Sequence, residues 1–214
     1  MALFFLVITL ISAYLLGSIP TSVWIGKYFY GIDIRKHGSG NAGTTNTVRV
    51  LGWKAGIPVL IVDIFKGFLA VNLIRLNNYY TPSTTDFINF QILLGIAALI
   101  GHIFPVYAGF KGGKGVATLF GLVLAINPLP TLISAGIFFI TLVITKYVSL
   151  SSIVAGFTFP ISVIVIFKTT TTSLIIFSLI IAVLLLFTHR KNIARLLKKE
   201  EAKFSIVSRK VKNN

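Results

Sequence analysis

The chain of 214 residues is 55% hydrophobic and 12% charged with a mean hydropathy of +0.90, which marks a polytopic membrane protein rather than a soluble domain. It has no cysteine, so disulfide scaffolds, thiolate chemistry and cysteine-based metal sites are excluded. Its 20 Lys and Arg against 5 Asp and Glu give a net charge of +15, which in a membrane chain orients loops and attracts anionic lipids or substrates before it suggests nucleic acid.

About 20 apolar residues at ~1.5 Å each cross a hydrocarbon core of ~30 Å, so long charge-free runs mark the membrane crossings. The first run covers residues 1–26 and has no Lys or Arg before Lys27. It lacks the basic start of a cleaved signal peptide and is expected to be a retained helix. A loop at 37–49 follows, carrying His37-Gly-Ser-Gly-Asn-Ala-Gly-Thr-Thr-Asn46 and then Arg49.

The apolar run from Ile57 to Ile74 is broken only by Asp63 and Lys66. These stand at i and i+3 on one helix face, where a buried ion pair that fixes packing is the first expectation and orientation of Arg49 or a substrate phosphate the second. Residues 77–86 are turn formers and read as a connector. The run 87–110 contains His102, which suits either a neutral histidine bonded to a neighbouring helix or a site residue. Phe110-Lys-Gly-Gly-Lys-Gly115 is a second glycine stretch, leading into a helix. The segment 115–145 is too long for one ordinary crossing and is broken by Asn127-Pro128-Leu129-Pro130, so it reads as a hairpin of two short helices. Runs at 147–167 and 169–189 complete the membrane part, assigned to residues 1–189, and a basic tail covers 190–214. The tail is expected to rest on anionic headgroups.

With the hairpin the fold class is an all-α polytopic membrane protein of seven transmembrane helices. An external amino terminus and a cytoplasmic carboxyl terminus put 17 Lys and Arg inside, against Arg75 and Lys168 outside and Lys66 within a helix. A single crossing at 115–145 would turn the nine basic residues of the tail outward, against the positive-inside rule. The same topology gathers both glycine stretches, Val148-Ser-Leu-Ser-Ser152 and Thr188-His-Arg-Lys-Asn192 at one membrane face.

Glycines let backbone N–H groups converge, and such a concavity binds anions, phosphate above all. Ser39, Asn41, Thr44, Thr45 and Asn46 add side-chain donors, and Arg49 offers a fork matched to phosphate oxygens. A plain flexible turn is the alternative. Against it, a second glycine stretch on the same face opens a helix, whose amino end favours anions. The Walker spacing G-x-x-x-x-G-K-[ST] is missing and no carboxylate pair is placed for magnesium, so neither a metal nor a cofactor is expected. Two cradles suggest two phosphorylated ligands, or one transferred between sites. A carrier or flippase for a phosphorylated lipid would want the same cradles, but with polar lining through the bilayer. A non-catalytic subunit that docks an acidic partner would leave the glycine loops needlessly specialised.

Gly17-Ser-Ile-Pro-Thr21, the run from Asp33 through Gly38-Ser-Gly-Asn-Ala-Gly43 to Arg49-Val-Leu-Gly52, Gly101-His-Ile-Phe-Pro105, Phe110-Lys-Gly-Gly-Lys-Gly-Val-Ala-Thr118 and His189-Arg-Lys-Asn-Ile193 together resemble the bacterial acyl-phosphate:glycerol-3-phosphate acyltransferase family. The likeness runs in order from the first helix to about Leu197. It implies a seven-helix enzyme of the bacterial inner membrane, with its active site on the cytoplasmic side. The implied reaction passes a fatty acyl group from acyl phosphate to the sn-1 hydroxyl of glycerol 3-phosphate, the first committed acylation of phospholipid synthesis. Its partners are these two substrates, membrane lipids and a soluble enzyme supplying acyl phosphate, with no nucleic acid and no cofactor. By chemistry and resemblance Ser39, Arg49 and Lys114 are the expected catalytic residues. Gly38, Gly40, Asn41, Gly43, Thr45, Asn46, His102, Lys111, Gly113, Ser152 and His189 are the expected substrate contacts. Lys111 also reads as a loop charge that enforces topology. Acyltransferases with a His-x-x-x-x-Asp pair work differently: the residues five after His37, His102 and His189 are Ala42, Tyr107 and Ala194. A phosphate oxygen of the donor is then expected to take the hydroxyl proton.

Overall fold

The structure, a computed structural model, describes residues 2–76 and 80–204, so part of the expected connector at 77–86 and the basic residues Arg209, Lys210 and Lys212 lie outside the described residues. The described residues form helices and turns with no strand. They divide into two compact units, one up to Ile126 and one from Asn127 onward.

Among the described residues the first unit holds six α-helices: α1 (Ala2–Gly17), α2 (Thr21–Tyr30), α3 (Thr44–Leu51), α4 (Trp53–Asn72), α5 (Thr85–Ile103) and α6 (Val116–Ile126). The run 1–26, read as one crossing, is two helices bent by 44°. Pro20, without an N–H, stands at the N-cap of α2, so the hydrogen-bond ladder of α1 is not continued through it. The helix α1 lies along α5, and Ala13, Ala70, Phe90, Leu94 and Ala98 form a core shared by α1, α4 and α5. The helices α4 and α6 also approach closely. A Cβ on Gly67 would overlap the backbone of Thr118, and one on Gly121 the backbone of Ile64. Helices in lipid gain little from burying apolar surface and associate through such close small-residue packing.

The second unit holds α7 (Pro128–Thr145), α8 (Val148–Ile161), α9 (Thr172–Thr188) and α10 (Arg190–Leu197). The helix α7 packs on α8, and α8 on α9. A turn of π-helix, Ser162–Ile166, extends α8 beyond Pro160. The expected break in 115–145 falls at Asn127: α6 ends at Ile126 and α7 begins at Pro128, whose missing N–H is harmless at a first helical position.

Among the described residues, four helical stretches are long and apolar enough to cross a membrane: Trp53–Leu76, Thr85–Ala108, Pro128–Thr145 and Val148–Ile166. The bent pairs Phe4–Gly17 with Thr21–Tyr30, and Thr172–Thr188 with Arg190–Leu197, raise the number to six if each is one crossing. The helix α6 has 11 residues, or about 16 Å, roughly half a hydrocarbon core. The loop expected at 37–49 is shorter than the sequence suggests, because the chain becomes helical at Thr44 and Arg49 stands on α3.

Candidate functional site

The first glycine stretch is held open by an amide. Asn46, on the first turn of α3 and only 1% exposed, accepts the Ser39 backbone N–H at 2.8 Å. Its Nδ2 donates to the Ile34 carbonyl at 3.1 Å and the His37 carbonyl at 3.0 Å. One side chain thus ties both limbs of the loop to a helix, so the loop is a built structure rather than a slack turn. Gly38 and Gly40 have φ of +59° and +73°, in the left-handed region, and a Cβ on Gly38 would overlap Asn46 Oδ1. Below the loop, Val23, Ile34 and Ala42 form a small core.

The hydrogen-bonding capacity of Asn46 is spent on shaping the loop, whereas Ser39 is exposed and its hydroxyl bonds to no described residue. Gly43 precedes α3, whose first N–H groups have no partner in their own helix. Asn41 and Thr45 are half-buried beside that terminus. Thr45 and Arg49, at i and i+4, share one face of α3. Arg49 is exposed and pairs with no described residue, so its guanidinium is available to an anion.

The second glycine stretch folds back over the end of α5. Gly112 N–H donates to the Ile103 carbonyl at 3.1 Å and Gly113 N–H to the His102 carbonyl at 3.2 Å. A Cβ on Gly113 would collide with both His102 Nε2 and the Ala42 carbonyl, so only glycine lets the two stretches meet there. Lys111 is exposed and Lys114 half-buried, two residues before α6 begins.

A clasp the sequence reading passed over joins the two stretches. Arg35 Nη1 donates to the Ala108 carbonyl at 2.7 Å and the Lys111 carbonyl at 3.3 Å, while Nε and Nη2 grip Asp33 at 2.9 and 2.7 Å. The hydrogen bond from the Arg35 side chain, against a smaller opposing effect of burial, holds the Asp33 carboxyl down at about 2. The signal was present as a carboxylate two residues before an arginine at the mouth of a glycine loop. Only the fold shows which carbonyls that arginine reaches.

Beneath this junction lies a charged floor. Asp63 Oδ1 and Lys66 Nζ are 2.8 Å apart with side chains 4% and 3% exposed, as expected of a buried pair. Lys66 Nζ also donates to the Ile19 carbonyl at 2.9 Å, and Thr21 Oγ1 donates to Asp63 at 3.3 Å. His102 Nδ1 shares a hydrogen bond of 3.0 Å with Thr118 Oγ1 on α6 and stands 3.9 Å from Asp63, so it is bonded across helices. A cavity of about 10 Å³, room for about one water, lies among Thr21, Ala42, Asp63, Lys66, His102 and Gly113.

The remaining two expected site residues belong to the second unit. Ser152 on α8 is buried and donates to the Val148 carbonyl at 2.9 Å. His189, buried between α9 and α10, has Nδ1 2.9 Å from the Leu185 carbonyl.

Residues 7–199 match the family model described as glycerol-3-phosphate acyltransferase. The chain is 49% identical over 159 residues to a glycerol-3-phosphate acyltransferase of Streptococcus equi subsp. zooepidemicus, covering 74% of this chain and 71% of that one. A relative of the same description from Staphylococcus carnosus is 46% identical over 199 residues, 92% of this chain and 97% of that one. Among solved structures it is similar to PlsY, an integral membrane glycerol 3-phosphate acyltransferase. The glycerol 3-phosphate form matches with a TM-score of 0.83 and 35% identity over 94% of this chain and 96% of that one. The lysophosphatidic acid form matches at 0.79 and 34% identity, with the same coverage. The chain belongs to the glycerol-3-phosphate acyltransferase family, the PlsY type of membrane enzyme.

Proposed function

We propose that this enzyme moves a fatty acyl group from acyl phosphate to the sn-1 hydroxyl of glycerol 3-phosphate at the cytoplasmic face of a bacterial inner membrane. The observation that carries the reading is the clasping of two glycine stretches, through Arg35 and through the Gly113 contact with Ala42, beside the cations Arg49, Lys111 and Lys114. Such an arrangement suits two phosphate groups at a membrane boundary, with an acyl tail among apolar helices and a soluble dianion drawn in by positive charge.

In the reaction the sn-1 oxygen bonds to the acyl carbonyl carbon, the carbon–oxygen bond to phosphate breaks, and inorganic phosphate leaves with the hydroxyl proton. Phosphate is already a good leaving group, so the protein has chiefly to align the reactants, worth roughly 7 to 11 kcal/mol, and to stabilise charge on the departing phosphate. Ser39 and the loop N–H groups take the donor phosphate. Arg49 and Lys114 take charge on the leaving or acceptor phosphate, and Ser152 and His189 hold glycerol 3-phosphate. The reading includes seven crossings with the amino terminus outside, which the uneven distribution of Lys and Arg along the sequence supports.

The test is purified protein with synthetic acyl phosphate and glycerol 3-phosphate, following released phosphate and lysophosphatidate together. Both products are expected in equal amounts without added metal and without acyl-CoA. Turnover abolished by EDTA, or equally fast with a thioester donor, would overturn the acyl-phosphate assignment. Movement of intact phosphorylated lipid across sealed vesicles without any transfer would mark a carrier instead.

A further inference from the structure

The helix α2 reverses the pattern of a helix in water. Thr21, Ser22, Val23 and Gly26 are buried against the protein, whereas Trp24, Lys27, Tyr28 and Phe29 are exposed. Tyr28 and Phe29 are 79% and 80% exposed. A helix facing water turns such rings inward and its small hydroxyl residues outward, since bare aromatic surface is disfavoured there. The segment after α5 adds to the same surface. The Tyr107 ring lies 6.2 Å from the Trp24 ring, and Tyr107 and Phe110 are 50% and 58% exposed. Two hydrogen bonds fix this segment: the Tyr14 hydroxyl on α1 donates to the Phe104 carbonyl at 3.0 Å, and Arg35 Nη1 donates to the Ala108 carbonyl at 2.7 Å. The aromatic surface therefore borders the clasp that joins the two glycine stretches.

Its composition says what covers it. Trp and Tyr, each an apolar ring with a polar tip, gather where hydrocarbon meets headgroups, and a lysine among them reaches lipid phosphates. Lys27, one turn after Trp24, has a side chain 53% exposed and supplies that charge. The change along the chain agrees. Helix α1 leaves Phe4, Ile8, Ile11 and Leu15 exposed on one stripe, wholly apolar as a hydrocarbon core requires. Beyond the 44° bend at Pro20 the exposed residues become Trp, Tyr and Lys, as on passing from the core to the headgroup layer. A soluble partner would leave these rings bare in water between encounters, whereas a bilayer covers them continuously.

We infer that the exposed face of α2, with Tyr107 and Phe110, lies in the headgroup layer of the membrane and holds the clasped glycine stretches at the depth of the lipid phosphates. This goes beyond the proposed reaction and does not depend on its acyl donor. Depth-dependent quenching tests it, on the full chain in vesicles of phosphatidylglycerol and phosphatidylethanolamine. Trp24 and Trp53 are the two tryptophans, so Trp53→Phe leaves Trp24 as the one indole. Its emission is expected to fall about twofold or more when the lipids carry a nitroxide near the headgroup, and distinctly less with the nitroxide at the chain end or with iodide in the water. The chain has no cysteine, so Tyr28→Cys carrying a fluorescent label gives a second reading of the same layer and decides if Trp53→Phe does not fold. Strongest quenching by iodide overturns the inference and leaves this face open to a soluble protein. Strongest quenching by the deep nitroxide also overturns it, and makes α2 a continuation of the crossing begun by α1. Neither result bears on acyl transfer, which the assay of phosphate and lysophosphatidate reads separately.

Discussion

Asp63 and Lys66, one turn apart on α4, form a 2.8 Å ion pair with both side chains buried, directly under the junction of the two glycine stretches. Each charge has further partners, the Thr21 hydroxyl for Asp63 and the Ile19 carbonyl for Lys66, so the pair also anchors the chain around Pro20 to α4. Removing one partner strands the other charge away from water. Lys66→Met is expected to destabilise the protein by roughly 3 to 5 kcal/mol, and the double change Asp63→Asn with Lys66→Met by less than the sum of the two single changes. Thermal unfolding of the four proteins in one detergent measures the coupling; strict additivity would mean that the pair contributes nothing jointly.

The division of labour between Asn46 and Ser39 predicts two different failures. Asn46→Asp keeps an acceptor for Ser39 N–H but loses both donations, to Ile34 and His37, so stability and turnover should fall together. Ser39→Ala leaves the loop's bonds intact, so stability should stay within about 0.5 kcal/mol of wild type while turnover drops more than about tenfold, or ~1.4 kcal/mol of transition-state stabilisation. A stable Ser39→Ala protein with near wild-type turnover at saturating substrates would return the loop to a structural role.

Arg49→Lys retains charge but loses the planar fork, and Lys114→Ala loses the charge just before α6. Each should cut kcat/KM by more than about tenfold, with Thr84→Ala, at the cap of α5, as a control for handling losses. Equal activity of Arg49→Lys and wild type would show that charge alone suffices at that position.

The Asp33–Arg35 clasp carries a pH signature. Because the folded carboxyl sits at about 2, below its ordinary 3.8, the clasp stabilises the folded state fully above pH ~4 and is lost as pH falls through about 2. The difference in melting temperature between wild type and Asp33→Asn should therefore be constant above pH 4 and shrink progressively below it. A difference that grew on acidification would reverse the assigned sign.

Topology has an independent check in a chain without cysteine. Single cysteines at Ser83 and Thr171 should react with an impermeant thiol reagent on intact cells, and one at Asn213 should not. External labelling at Asn213 would overturn the proposed seven-crossing arrangement and the proposed cytoplasmic placement of the site with it.

Much of this protein is written in one dimension. Hydropathy alone locates the apolar helices, because a bilayer demands long runs whose backbone bonds close within the segment. The break at Asn127 is legible from its two prolines, and the pairing of Asp63 with Lys66 from their helical spacing. The glycine stretches stand out by composition. Tertiary structure decided what locks them: Asn46 reaching back across its own loop, Arg35 finding carbonyls more than seventy residues away, and Gly113 admitting Ala42 against His102. It also decided the fate of Glu201, which reads in sequence as one more charge in a basic tail and in the fold is a buried carboxylate with three donors. Local spacing reports on neighbours within a turn or two of helix. Hydrogen bonds between distant segments depend on where packing brings their backbones, and that information is held by the folded chain as a whole.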